Sequence, residues 1–375
     1  VLVLQRPGPG HAQGHGDGVG CVPCNKGVVD ALPGLGEAGE AIQLAEGGKK
    51  LLPAGESLVD IALVAHVKDQ AVPLRIEAAV DGHGELHRPQ VGGQVPTGSG
   101  DIVQQELPQL LTKLRQLIRR QEQAGIDALV ICGTTGESAA LSDGEKTELF
   151  RSSREAIPEN MAFLAGTGSN DTAHAVALSQ AAEGCGADGL LVVSPYYNKA
   201  TEDGLYRHYE AIAQAVHIPV VLYNVPGRTG LDIPVSVYKA LSALPNVIGV
   251  KEASPDIRKI AGIRRECPRD FFVWCGNDDL AVAAMALGAL GVISVVSNVE
   301  PERTRAMVWA ALDGDFDTAS DIQLGLLPLI EALFREVNPA PVKAAMALLG
   351  YDCGQCRLPV GSIRPETLAK LRKLL

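Results

Sequence analysis

Lys251 closes the apolar run Asn246 to Val250, and Tyr223 ends a second run that continues as Asn224-Val225-Pro226-Gly227-Arg228-Thr229. An amine enclosed by apolar groups loses proton affinity, and its neutral fraction can attack a ketone. A phenol nearby can carry the protons that such an addition moves. An amine and a phenol at two strand ends therefore predict Schiff-base chemistry on a carbonyl acid. The plainer alternative is a lysine that snorkels into solvent or pairs with Glu252.

Such a pair needs a scaffold that gathers strand ends at one mouth. Seven short apolar runs answer to strands: Asp127 to Cys132, Met161 to Ala165, Gly189 to Ser194, Val220 to Asn224, Val247 to Lys251, Phe271 to Cys275 and Gly291 to Val295. An amphipathic stretch follows each, with start signals such as the capping box Ser142-x-x-Glu145. Alternating strands and helices predict parallel βαβ units, and repeats mostly of about 25 to 34 residues predict an α/β fold of the (β/α)8 barrel type. Beyond the seventh run, Pro301 to Leu312, Phe316 to Glu336, Pro341 to Leu349 and Pro365 to Leu374 read as helices. The first closes the barrel, and the rest form a C-terminal helical appendage.

Composition narrows the function. With 46% hydrophobic residues the 375-residue chain can bury a sizeable core. Lys plus Arg number 33 against 44 acidic residues, a net charge of −11 that argues against a nucleic-acid partner. No apolar run reaches the roughly eighteen residues of a membrane span. Cys132, Cys185, Cys267 and Cys275 lie in or beside apolar segments, as reduced intracellular thiols do. Cys21/Cys24 and Cys353/Cys356 could together supply four thiolates to zinc, but they stand at opposite ends of the chain in dissimilar segments. Asn277-Asp278-Asp279 could offer paired carboxylates to a metal, yet it opens a predicted helix and reads better as its cap. His208 and His217 read as helix-surface residues, and no metal site is expected.

The first hundred residues differ in kind. They are rich in Gly, Pro, His and Gln, and all 15 aromatic residues lie at or after Phe150. Such a segment buries too little surface to offset its chain entropy. Neither a transit peptide nor a secretory signal fits it. The chain is therefore divided into residues 1–105, a disordered or non-native extension, 106–312, the barrel, and 313–375, the helical domain.

Two glycine-rich turns follow strand ends. Gly133-Thr134-Thr135-Gly136-Glu137 can cup a carboxylate with backbone N–H groups and hydroxyls, or be simply a tight βα turn. Gly166-Thr167-Gly168-Ser169 lacks the lysine of a nucleotide loop and reads as turn chemistry. In order along the chain stand G-T-T-G-E-S, P-Y-Y-N-K from Pro195, Y-N-V-P-G-R-T-G from Tyr223 and V-K-E-A-S from Val250. Together they closely resemble the 4-hydroxy-tetrahydrodipicolinate synthase (dihydrodipicolinate synthase) family, over about residues 107 to 375.

The resemblance implies a (β/α)8 barrel with a C-terminal helical domain, a cytoplasmic homotetramer. It implies condensation of pyruvate with L-aspartate 4-semialdehyde in lysine and diaminopimelate biosynthesis, with no cofactor. By the same resemblance Lys251 forms the Schiff base, Tyr223 relays protons, Thr134 is its relay partner, and Tyr197 completes the relay across a dimer interface. Thr135 binds the pyruvate carboxylate, Arg228 the carboxylate of the semialdehyde, and Gly276 and Ile293 line the pyruvate end. A guanidinium suits bidentate carboxylate binding better than an ammonium.

The chain also departs from that pattern. Family members begin with a barrel strand ending in Thr-Pro; here Gly92 to Gln105 reads as a turn region in its place, and the run Leu58 to Val67 lies too far upstream. A barrel lacking one strand has two open edges. Of the family's lysine-inhibition pocket, Asn170 and Tyr196 match, but His174 replaces a glutamate, and Asp143 and Lys146 replace histidines. Weak or absent inhibition by lysine is expected. Two alternatives stay open: a sister pyruvate-dependent lyase acting on N-acetylneuraminate or keto-sugar acids, in which Gly-Arg-Thr after the proline is unusual, and a non-catalytic barrel.

Overall fold

The computed structural model describes the backbone of residues 100–375 and the side chains from residue 111 onward. Cys21, Cys24, the run Leu58 to Val67 and most of the proposed 1–105 extension lie outside the described residues. The turn predicted over Gly92 to Gln105 is corrected at its end, because Gly100–Gln123 is one helix. The good helix formers Gln104, Gln105 and Glu106 favour that helix locally.

Six strands form one parallel sheet in chain order: β1 (Ala128–Ile131), β2 (Ala162–Gly166), β3 (Gly189–Val193), β4 (Val220–Asn224), β5 (Val247–Glu252) and β6 (Phe272–Cys275). Each connection runs through a helix, as parallel neighbours require. The helix Asp143–Ala156 starts with the predicted capping box, in which Ser142 and Glu145 satisfy each other's backbone N–H groups.

The strands are buried on both faces. Phe163, Leu190, Leu222, Val250 and Val273 pack into the layer shared with the helices, while Leu164, Leu191, Val221, Tyr223, Trp274 and Ile293 make a second cluster on the opposite face. Side chains alternate along a strand, so one run of apolar residues supplies both layers. Each fully buried aliphatic or aromatic side chain contributes about 1.5–3 kcal/mol.

The two ends of the sheet are tied together by groups just before β1 and just after the last predicted strand. The Arg120 guanidinium donates to the carbonyls of Asn298 and Val299. Gln121 donates to the Ser297 carbonyl, and Arg305 to that of Gly125. These bonds curl the sheet toward itself, consistent with an α/β fold of the TIM-barrel type. Among the described residues β1 pairs only with β2, so closure into eight strands is not part of the described architecture.

The seventh predicted strand is corrected. Among the described residues, Gly291 to Val295 makes one parallel bridge, between Cys275 and Val292, and forms no strand of the six-stranded sheet. The reason lies in Asp278, whose carboxylate accepts the N–H groups of Val295 and Val296 at 2.9 Å each and turns the chain into the short 3-10 helix Val296–Asn298. Downstream, Pro301–Leu312, Phe316–Leu333, Ala340–Leu348 and Pro365–Leu374 follow the four predicted helices closely. No helix among the described residues is long and apolar enough to cross a membrane.

Candidate active site

Tyr223 and Lys251 are register partners at the carboxyl ends of β4 and β5. Both are buried, and the lysine Nζ lies 4.5 Å from the centroid of the tyrosine ring. The amine thus sits against the face of the phenol that was predicted to serve it. Glu252, the alternative partner, points the other way. Its carboxylate accepts from Asn224 Nδ2 at 2.9 Å, from the Tyr238 hydroxyl at 3.1 Å and from the Ser254 N–H at 2.7 Å. Burial raises the Glu252 pKa against those bonds. Among the described residues Lys251 makes no ion pair.

Gly276 follows β6 and explains how the lysine reaches the mouth. A methyl group at this position would come within 2.5 Å of Ala253 Cβ and 3.0 Å of Lys251 Cε. Only a residue without Cβ leaves the lysine stem its course. Ile293 is buried in the same inner cluster as Tyr223, with its N–H donating to the Cys275 carbonyl at 2.8 Å.

The turn after β1 presents both threonines half-buried. Gly136 N–H donates to the Gly133 carbonyl at 3.0 Å and Glu137 N–H to the Thr134 carbonyl at 3.1 Å, so the turn is closed. Cys132 and Glu137 flank it with left-handed backbone, each at φ 55°. The Thr135 hydroxyl takes a hydrogen bond of 3.0 Å from Asn338 Nδ2. Lys343 pairs with Glu137 at 2.7 Å, and the Arg357 N–H donates to the same carboxylate at 2.8 Å. Asn338, Lys343 and Arg357 were not singled out by the sequence. The Asn338-Pro339 dipeptide marks a helix boundary, but nothing local points it at a turn 203 residues earlier.

Arg228 lies in the single helical turn Pro226–Thr229 directly after β4. It is exposed, and among the described residues it makes no ion pair. Tyr197 is 90% exposed, at φ 72°, and Tyr196 is also exposed. Lys251, Tyr223, Gly276 and Ile293 are thus gathered around the sheet ends, while Tyr197 stands almost fully exposed. A recess of about 200 Å³ lined by Arg335, Glu336, Val337 and Arg364, among others, contains none of these residues.

The residues matched to a lysine pocket form a different cluster. His174 bonds Asp143 through Nε2 at 2.9 Å and Ser169 through Nδ1 at 3.0 Å. Lys146 Nζ stands 3.7 Å from the same Asp143 carboxylate. The His174 hydrogen bond, helped by Lys146, holds the Asp143 pKa below its ordinary value. Asn170 is half-buried, and its carbonyl accepts from Asn198 at 2.9 Å.

Three further readings change. Asn277 makes no capping bond, and Asp278 serves the 3-10 helix Val296–Asn298 instead of its own. His208 is buried, with Nδ1 at 2.9 Å from the Thr172 hydroxyl, because its helix lies between neighbours on that face. His217 is exposed as expected, but stands beyond the end of the helix Glu202–Gln214. Cys353 and Cys356 are free thiols, and no cluster able to hold a metal occurs among the described residues.

Residues 108–375 match the model of the dihydrodipicolinate synthetase family. The chain is 48% identical over 263 residues to 4-hydroxy-tetrahydrodipicolinate synthase of Acetivibrio thermocellus, an alignment spanning 70% of this chain and 89% of that protein. It superposes on the crystal structure of dihydrodipicolinate synthase from Aquifex aeolicus with a TM-score of 0.70 and 41% identity, over 71% of this chain and 91% of that one. A structure described as the first monomeric dihydrodipicolinate synthase variant gives a TM-score of 0.69 at 39% identity, over 71% of this chain and 90% of that one. On the match of the family model and the identity to its members, this chain belongs to the dihydrodipicolinate synthetase family.

Proposed function

We infer that this protein condenses pyruvate with L-aspartate 4-semialdehyde through a lysine Schiff base to give 4-hydroxy-tetrahydrodipicolinate, the lyase reaction of lysine and diaminopimelate biosynthesis. The observation that carries the reading is the Lys251 amine 4.5 Å from the Tyr223 ring at two adjacent strand ends. In this reading Lys251 adds to the pyruvate ketone and water leaves. Loss of a methyl proton through Tyr223 and Thr134 gives the enamine, whose carbon attacks the semialdehyde carbonyl. The amino group of the condensed product then displaces Lys251 and closes the ring.

Thr135 holds the pyruvate carboxylate, and Arg228 that of the semialdehyde. Gly276 and Ile293 shape the pyruvate end. Arg228 favours this substrate over the sugar acids of sister lyases, because an exposed guanidinium just after β4 matches a second carboxylate. The exposed Tyr197 supports a relay completed by a neighbouring subunit, and the family resemblance is what supports a homotetramer in the cytoplasm. The domains proposed are 106–312 for a (β/α)8 barrel and 313–375 for the helical appendage. Asp143 is already engaged by His174 and Lys146, which supports weak or absent inhibition by lysine.

The test is turnover of both substrates at concentrations spanning the dissociation of any oligomer, with mass determined at each. Semialdehyde consumption that requires pyruvate supports the reading. Cleavage of N-acetylneuraminate in its place favours the sister lyase, and no turnover of either favours the non-catalytic barrel.

A further inference from the structure

Asn338 lies in the connection between the helices Phe316–Leu333 and Ala340–Leu348, and it is 4% exposed. Its Nδ2 donates to Thr135 Oγ1 at 3.0 Å, while its Oδ1 is buried without a hydrogen-bond partner among the described residues. A buried amide carbonyl left unpaired is costly, so the orientation needs a compensating use. That use follows from hydroxyl chemistry. Thr135 has one proton and two lone pairs, and an amide that donates to its oxygen leaves the proton free to donate elsewhere. The opposite orientation of the amide would consume that proton. Lys343 and the Arg357 N–H fix the far end of the same turn through Glu137.

We propose that Asn338 is a positioning residue for pyruvate: by donating to Thr135 Oγ1, it commits the Thr135 hydroxyl to donate to the substrate carboxylate. The proposal rests on Thr135 as the carboxylate-binding residue. Thr135 touches the substrate, and Asn338 acts through it from a segment that folds 203 residues later. The C-terminal segment thereby sets the polarity of the cradle as well as packing against it.

The deciding variant is Asn338→Asp, which keeps the shape but replaces the donor with an acceptor. Its pyruvate KM should rise about 10-fold to 100-fold, the loss expected for a hydrogen bond to a charged group, with the semialdehyde KM held within about two-fold. The half-saturating pyruvate concentration for borohydride trapping should rise by the same factor, so the result is read without semialdehyde turnover. Asn338→Ala should raise it in the native background and add less than about two-fold in a Thr135→Val background. A merely structural Asn338 would lower the melting temperature and shift both substrates alike, or neither. Either of those outcomes, or full additivity of Asn338→Ala with Thr135→Val, would overturn the proposal.

Discussion

Gly276 lies so close to Lys251 that a methyl group on its α-carbon would stand 3.0 Å from the lysine Cε. The same methyl would meet Ala253 Cβ at 2.5 Å, a separation at which something must shift. Gly276→Ala should therefore cost about 1–3 kcal/mol of stability and displace the amine. Denaturant melts and the yield of borohydride adduct should fall together. An unchanged adduct yield would show that the lysine does not need this passage.

Removing one hydroxyl at Tyr223 isolates proton transfer from packing. Tyr223→Phe keeps the ring beneath the amine and should lower kcat by about 100-fold to 10,000-fold, with the pyruvate KM nearly unchanged. Steady-state kinetics and a pH–rate profile check this. A loss confined to KM would move Tyr223 from relay to binding.

The substrate reading rests on Arg228. Arg228→Lys preserves charge but not the planar fork, and should raise the semialdehyde KM about ten-fold while leaving pyruvate trapping intact. Equal losses for both substrates would assign Arg228 to general architecture.

Much of this was legible in the chain because strands and their terminal residues are local patterns. Lys251 and Tyr223 each end an apolar run, and that placement alone put them at one sheet end. Six of seven strands and the later helices follow the same logic. What was not legible depends on distant partners. Gly291 to Val295 has the composition of a strand and Gly291 to Ile293 lies beside β6, yet Asp278 takes the N–H groups of Val295 and Val296 and turns the chain there into a 3-10 helix. His208 is polar by type, but it falls on the buried stripe of its helix with Leu205, Tyr209 and Ile212, and side-chain type outweighed that spacing in the surface reading. Asn338 meets Thr135 across most of the described chain, a separation that no periodicity reports.

The burial of His208 carries a pH dependence. Burial lowers its pKa to about 4 from an ordinary 6.5, against a raising effect of Asp171. Both states are neutral above the ordinary value, and below it only the unfolded chain gains the proton. Stability contributed by neutral His208 is therefore present near neutrality and lost as pH falls from about 6.5 to about 4. Between pH 7 and pH 5 the loss should be about 2 kcal/mol, measured by urea melts. His208→Gln should flatten that slope, and an equal slope in the variant would place the dependence elsewhere.

The most direct measurement of the central claim is borohydride reduction in the presence of pyruvate, read by intact mass and peptide mapping. A single pyruvate adduct on Lys251, abolished by Lys251→Ala and absent without pyruvate, is the predicted result. A folded sample that forms no adduct, or forms it on another lysine, would contradict Schiff-base catalysis at this strand end.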